Sequence, residues 1–232
     1  MQPATKATAI LIALTVAALI ASPRSTLASE VASTISQIPE TLDKNCRDGR
    51  AQVYDECSDQ ASLLAAAEAR ADRENKTVLV VMGAEWCVWC HVFDAHIHGQ
   101  TTKFDYRFAS PKAPEAFRLE TMTETETDSV VDAATKLAKF VSDKFVVLHV
   151  DTMYAPGGRA VAIETNAAKH YFGEIPFIFT LDKHGKFADV FNKRDDDAAS
   201  VSWNLFAYFR GYKREVLFQA LQRMQVRAAT VE

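Results

Sequence analysis

The stretches T-V-L-V-V-M-G-A (77–84) and F-V-V-L-H-V-D (145–151) are nearly unbroken apolar runs of β-branched and other aliphatic residues. Runs of this length predict strands covered on both faces of a sheet. Around them the apolar positions change period. D-Q-A-S-L-L-A-A-A-E-A-R-A-D-R-E-N-K (59–76), rich in Ala, Leu, Glu and Arg, predicts a helix with Ser58 or Asp59 as N-cap and Asn75-Lys76 at its exit. C-V-W-C-H-V-F-D-A-H-I-H (87–98) has helical spacing and meets a stop at Gly99, so its first residue stands where a strand hands over to a helix. Helical spacing returns at 128–142, with Val131, Leu137, Ala138 and Val141 on one side, and at 160–172, between the Pro156-Gly157-Gly158 turn and Gly173. I-P-F-I-F-T-L-D (175–182), the turn K-H-G-K and F-A-D-V-F (187–191) predict a β-hairpin. Residues 203–224 carry an apolar stripe through Phe206, Phe209, Tyr212, Val216 and Met224, which predicts a long closing helix before a short tail, 226–232. Residues 29–57 read as a polar N-terminal arm, and 100–127, with Pro111, Pro114 and a Thr/Glu tract, as an insertion. The order of elements predicts an α/β fold, a central mixed β-sheet flanked by helices.

The N-terminus changes the picture. Lys6 precedes a 15-residue apolar run (7–21), then Ser22-Pro23-Arg24 and the small residues of Thr26-Leu27-Ala28. This is a signal-peptide layout for residues 1–28, too short for the roughly 20 residues that span a bilayer. No later stretch is apolar enough to span. The expectation is an exported protein, periplasmic or secreted, without a membrane span after cleavage. Cleavage takes the formal charge from −4 to −6, because residues 1–28 hold Lys6 and Arg24 and no acid. That balance argues against nucleic acid as a partner.

Four cysteines in an exported chain suggest oxidised pairs. Cys46 and Cys57 would close a short polar loop and staple the arm as a structural disulfide. Cys87 and Cys90 form C-x-x-C, followed by His91. At the start of a helix, unpaired N–H groups and the dipole lower the pKa of the first sulfur, and the second returns one turn later on the same face. Cys87 can then attack a disulfide, and Cys90 can resolve the mixed disulfide. C-x-x-C-H is also a haem-attachment pattern, but a strand feeding the motif argues against a small helical cytochrome, and Met82, Met122, Met153 and Met224 stand in no distinctive context as axial ligands. His91, His96 and His98 near the thiols raise a metal site, which an oxidising compartment disfavours; no metal and no cofactor beyond the redox-active disulfide are expected.

The run T-V-L-V-V-M-G-A-E-W-C-V-W-C-H, then F-V-V-L-H-V-D, then G-E-I-P-F-I-F-T-L-D-K-H-G-K-F resembles the thioredoxin superfamily, in particular exported members with W-C-x-x-C-[HK]. The likeness covers about residues 58–99 and 128–225, within a domain 58–225. It implies Cys87 as nucleophile, Cys90 as resolving cysteine and Pro176 as a cis-proline opposite them. Ile175 would offer its backbone to a substrate peptide, and Trp86, Val88 and Trp89 would shape the rim. Where many relatives carry a buried acid and a Lys, this chain has Val81 and Val147. Proton transfer then falls to Glu85, His91 or water, although Glu85 reads as a surface residue and His91 as a helix-surface group. The implied activity is a protein-disulfide oxidoreductase that reduces, or relays electrons to, cysteine-containing exported proteins, with a membrane electron donor or acceptor as a further partner. Oxidase or isomerase activity, or a non-catalytic binding module, are the alternatives.

Overall fold

A computed structural model describes residues 35–43, 45–49, 51–101, 103–110, 113–123, 127–192, 199–203 and 208–230. The expected signal peptide and Phe206 lie outside the described residues. The chain forms β1 (Ser36–Ile38), α1 (Gln60–Glu74), β2 (Thr77–Gly83), α2 (Val88–Ile97), β3 (Lys103–Ser110), β4 (Ala113–Thr123), α3 (Asp128–Lys144), β5 (Phe145–Asp151), α4 (Gly158–Glu164), β6 (Phe177–Leu181), β7 (Phe187–Phe191), β8 (Ala199–Trp203), β9 (Tyr208–Tyr212) and α5 (Arg214–Thr230).

A five-stranded mixed sheet in the order β1-β5-β2-β6-β7 is the centre of the fold. β5 runs parallel to both β1 and β2, whereas β6 is antiparallel to β2 and β7. Alternation along the two long apolar strands divides their side chains between two cores. Leu79, Val81, Phe145 and Val147 pack with Phe93 and Ile97 of α2, Leu137 and Val141 of α3, and Leu217, Leu221 and Met224 of α5. Val78, Val80, Met82, Val146, Leu148 and Val150 face Leu64, Ala67 and Ala71 of α1 and Val161 of α4. The caps follow the sequence: the Asp59 side chain accepts from Ser62 N at 2.8 Å, and Asn75 closes α1 in the left-handed region.

Three segments differ from the sequence expectation. The arm is not wholly outside the sheet: Ser36–Ile38 pairs with Val146–Leu148 as an edge strand, three residues being too few to show a period. The helix expected at 160–172 stops at Glu164, because Asn166 turns left-handed (φ 61°) before a short 3-10 turn at Ala168–His170. The long closing helix begins only at Arg214. Residues 199–203 and 208–212 form a hairpin instead, with Ser200 opposite Gly211 and Trp203 opposite Tyr208. Aromatic residues favour strands and Gly211 is a poor helix interior residue, so local preference overrides the 3.6-residue stripe there. The insertion at 100–127 holds a second hairpin, β3–β4.

Candidate active site

β2 ends at Gly83, where its neighbour β5 ends at Asp151, and residues 84–87 carry the chain across to α2. Cys87 is the N-cap of α2, and its sulfur accepts from Cys90 N at 3.2 Å. The two cysteines are joined, with Cα atoms 5.3 Å apart. Cys87 is 5% exposed and Cys90 not at all, so the first sulfur is the outer one. The Ile175–Pro176 peptide is cis. Ile175 packs against the cysteines together with Val53, Trp86 and Trp89, whereas Val88 leans on the core between α2 and the sheet. Pro176 is buried and borders a cavity of 330 Å³ with Phe172, Phe177, Val190 and Phe191. Phe172, 89% exposed, is the most open large apolar side chain there.

Glu85 and His91 are not surface groups. Both are 5% exposed; Val53 and Tyr54 of the arm lie over the cysteines. The Glu85 carboxylate accepts from the backbone N–H groups of Gln52, Val53 and Tyr54 at 2.9, 3.1 and 3.0 Å. It therefore clamps the arm. His91 Nε2 donates to the Glu85 carbonyl at 2.7 Å and lies 3.3 Å from the carboxylate. Burial alone would lower the His91 pKa, but the hydrogen bonds and charge of Glu85 outweigh it and raise the value.

The arm is fixed from several sides. Cys46 and Cys57 are joined across 5.9 Å between Cα atoms, and Arg47 Nε sits 3.1 Å from Glu56. Buried Gln60 donates to the carbonyls of Asp55 and Ser58 and accepts from Asp151 N at 2.8 Å, tying arm, α1 and the end of β5 together. The arm delivers Tyr54, fully buried, against both cysteines. A Cβ on Gly83 would collide with the Tyr54 hydroxyl and with Cys90 Sγ, so glycine makes this approach feasible. The Tyr54 hydroxyl and Trp86 Nε1 have no hydrogen-bond partner among the described residues.

Below Tyr54 lies a polar group that sequence reasoning missed. The ring of His149, on β5 opposite Val81, meets the Tyr54 ring edge-on at 5.4 Å. His149 Nε2 is 3.2 Å and His98 Nδ1 3.3 Å from Asp94 Oδ1. Burial would raise the Asp94 carboxyl, yet the two imidazoles hold it well below the usual carboxylate range. A histidine in the otherwise apolar run of β5 was the available signal, since its register points it to the α2 face. Nothing in the arm's sequence signals Tyr54. His96 turns the other way: Nδ1 donates to Val92 O at 2.8 Å and Nε2 accepts from Tyr212 N at 3.3 Å. Burial and the Arg214 charge push its pKa down to about 3. The histidines of α2 thus diverge, and the described residues hold no group of three or more His, Cys, Asp or Glu side chains arranged for a metal ion.

No family model, curated protein or solved structure matches the chain. The mixed α/β fold and the Cys87–Cys90 pair at C-x-x-C spacing are compatible with a thioredoxin-like protein and with redox activity. No helix among the described residues is long and apolar enough to cross a membrane.

Proposed function

We propose that this chain is an exported, thioredoxin-like thiol:disulfide oxidoreductase that reduces, or passes electrons to, disulfides of other exported proteins. One observation carries the reading: the outer cysteine caps the helix that follows a buried central strand, and the second lies one turn deeper. A thiolate at Cys87 is stabilised by the Cys90 N–H and the helix dipole. It attacks a client disulfide, forming a mixed disulfide and releasing one client thiolate. Cys90 attacks Cys87 Sγ, which forms the internal disulfide and releases the second client thiolate, so two electrons pass to the client. Ile175 and Trp86 pack against the sulfurs, where a client chain would lie across them, and the cavity beside Pro176, the next residue, would take a neighbouring side chain. Glu85 and His91 act in this scheme through the arm and the electrostatics of the helix start.

The 5% exposure of Cys87 favours a second reading, a binding module in which the pair is a permanent disulfide. Insulin reduction by dithiothreitol separates the two. The native protein is expected to accelerate precipitation of the insulin B chain, Cys87→Ser to abolish the acceleration, and Cys90→Ser to accumulate a mixed disulfide visible on a non-reducing gel. Equal turnover by native protein and Cys87→Ser would discard the oxidoreductase reading.

A further inference from the structure

We infer that the Tyr54 hydroxyl is a hydrogen-bond donor held for the Cys90 sulfur, idle in the disulfide and engaged once the Cys87–Cys90 bond is reduced. The inference rests on the proposed dithiol chemistry and adds to it a residue from outside the sheet.

The geometry is specific. Tyr54 is fully buried, its hydroxyl and Cys90 Sγ both crowd the space above Gly83, and the hydroxyl has no partner among the described residues while the sulfurs are bonded. The carbonyl of Gly83 itself is already taken by Thr152 N and Oγ1, each at 2.9 Å. The His149 ring meets Tyr54 through an edge-on ring contact. Burial first, then the Asp94 and Glu85 carboxylates, raise the hydroxyl's pKa well above its ordinary value, so it stays a donor. A buried donor left unpaired destabilises the state that contains it. A bonded sulfur is a weak acceptor, whereas a thiolate accepts a strong, charge-assisted hydrogen bond.

Reduction by a dithiol supplies that acceptor. A dithiothreitol thiolate attacks Cys87 Sγ, and the S–S bond breaks with its electron pair going to Cys90 Sγ, which leaves as thiolate beneath Tyr54. The second dithiothreitol thiolate closes its own ring and releases Cys87 as a thiolate. Dithiothreitol is oxidised by two electrons and the protein disulfide reduced by two. The missing Cβ of Gly83 leaves the freed Cys90 sulfur room to move toward the hydroxyl. Tyr54 therefore stabilises the reduced form selectively.

The test is a redox titration of the full-length native protein and of Tyr54→Phe in dithiothreitol buffers, with acid quenching, alkylation and mass spectrometry of the Cys87–Cys90 peptide, so that Cys46–Cys57 does not contribute. Removing the hydroxyl is expected to shift the equilibrium about tenfold toward disulfide, a fall in midpoint of about 30 mV. Midpoints that coincide, or a rise in Tyr54→Phe, overturn the inference whatever the variant's melting temperature. A second measurement needs no substitution: the Tyr54 hydroxyl proton should shift downfield by NMR when the native protein is reduced, and an unchanged resonance overturns the inference equally. Because the titrant is a small dithiol and no client is present, Tyr54 is read independently of the insulin assay.

Discussion

Gly83 shows how much a single missing side chain sets at this site. It ends β2, pairs with Asp151, and leaves the volume in which the Tyr54 hydroxyl and Cys90 Sγ meet. Alanine there would push its Cβ into both, and neither neighbour is the free end of a flexible chain: one belongs to a fully buried ring, the other to a disulfide. Overpacking of this kind costs about 1–3 kcal/mol. Gly83→Ala is therefore expected to lower the stability of the oxidised protein by that amount in urea unfolding, and an unchanged midpoint would show that Tyr54 moves aside freely. The cysteines, the proline at 176 and the strand-to-helix junction were legible in the sequence, because each is carried by local spacing. Tyr54, Asp94 and His149 were not: they belong to the arm, α2 and β5, and only tertiary structure brings them together.

Among elements, the arm departs furthest from a local reading of its sequence. Residues 35–57 look like a polar lead-in, yet they add an edge strand beside β5, close a disulfide loop and roof the cysteine pair. The roof hangs on Glu85, whose carboxylate satisfies three successive N–H groups that the arm cannot pair within itself. Hydrogen bonds to a charged acceptor contribute about 1.5–3 kcal/mol each and are not additive. Glu85→Ala is expected to loosen residues 52–54, to cost at least about 2 kcal/mol of stability, and to speed alkylation of Cys87 in the reduced protein by roughly tenfold or more. An alkylation rate equal to that of the native protein would mean that the arm does not limit access. Elements whose pattern is long and regular, α1, β2, α3, β5 and the β6–β7 hairpin, follow their sequence closely. The first part of the 203–224 stretch does not, since its aromatic residues and Gly211 favour a strand over the helix that their spacing suggests, and Tyr212 at the end of β9 then packs on Trp89 and Phe93 of α2.

At the scale of the whole molecule, α2 is the joint between the sheet and the C-terminal hairpin and helix, and His96 is its pin. Its ring bonds Val92 O and Tyr212 N and stacks edge-on against Tyr212 at 5.8 Å, while Arg214 donates to Gln100 O at 2.5 Å beyond the end of α2. Both ring nitrogens are used in the neutral form, so protonation must break the bond from Tyr212 N. With the folded pKa pushed down to about 3 against 6.5 for the free side chain, the unfolded chain takes up this proton first as the pH falls. Unfolding is then favoured by about 1.4 kcal/mol per pH unit below 6.5, a loss that continues until the folded value is reached. His91 and His98, whose values are raised, behave oppositely: their contribution is complete below 6.5 and declines only as the pH climbs through their folded values, so it stays constant in this window. The Asp94 carboxylate, held low, loses its contribution only under stronger acid, near and below the ordinary carboxylate range. Asp151 and Glu68, both raised, gain in acid, but equally in any variant that leaves them alone. The effect of His96 is thus isolated by difference. His96→Phe, which fills the site without titrating, is expected to be less stable than the native protein at pH 7, and the gap should narrow by about 1.4 kcal/mol per pH unit from 6 to 4 in urea unfolding. A gap that stays constant over that range would mean that His96 is protonated in the folded protein and that the joint between α2 and β9 is held by something other than a neutral imidazole.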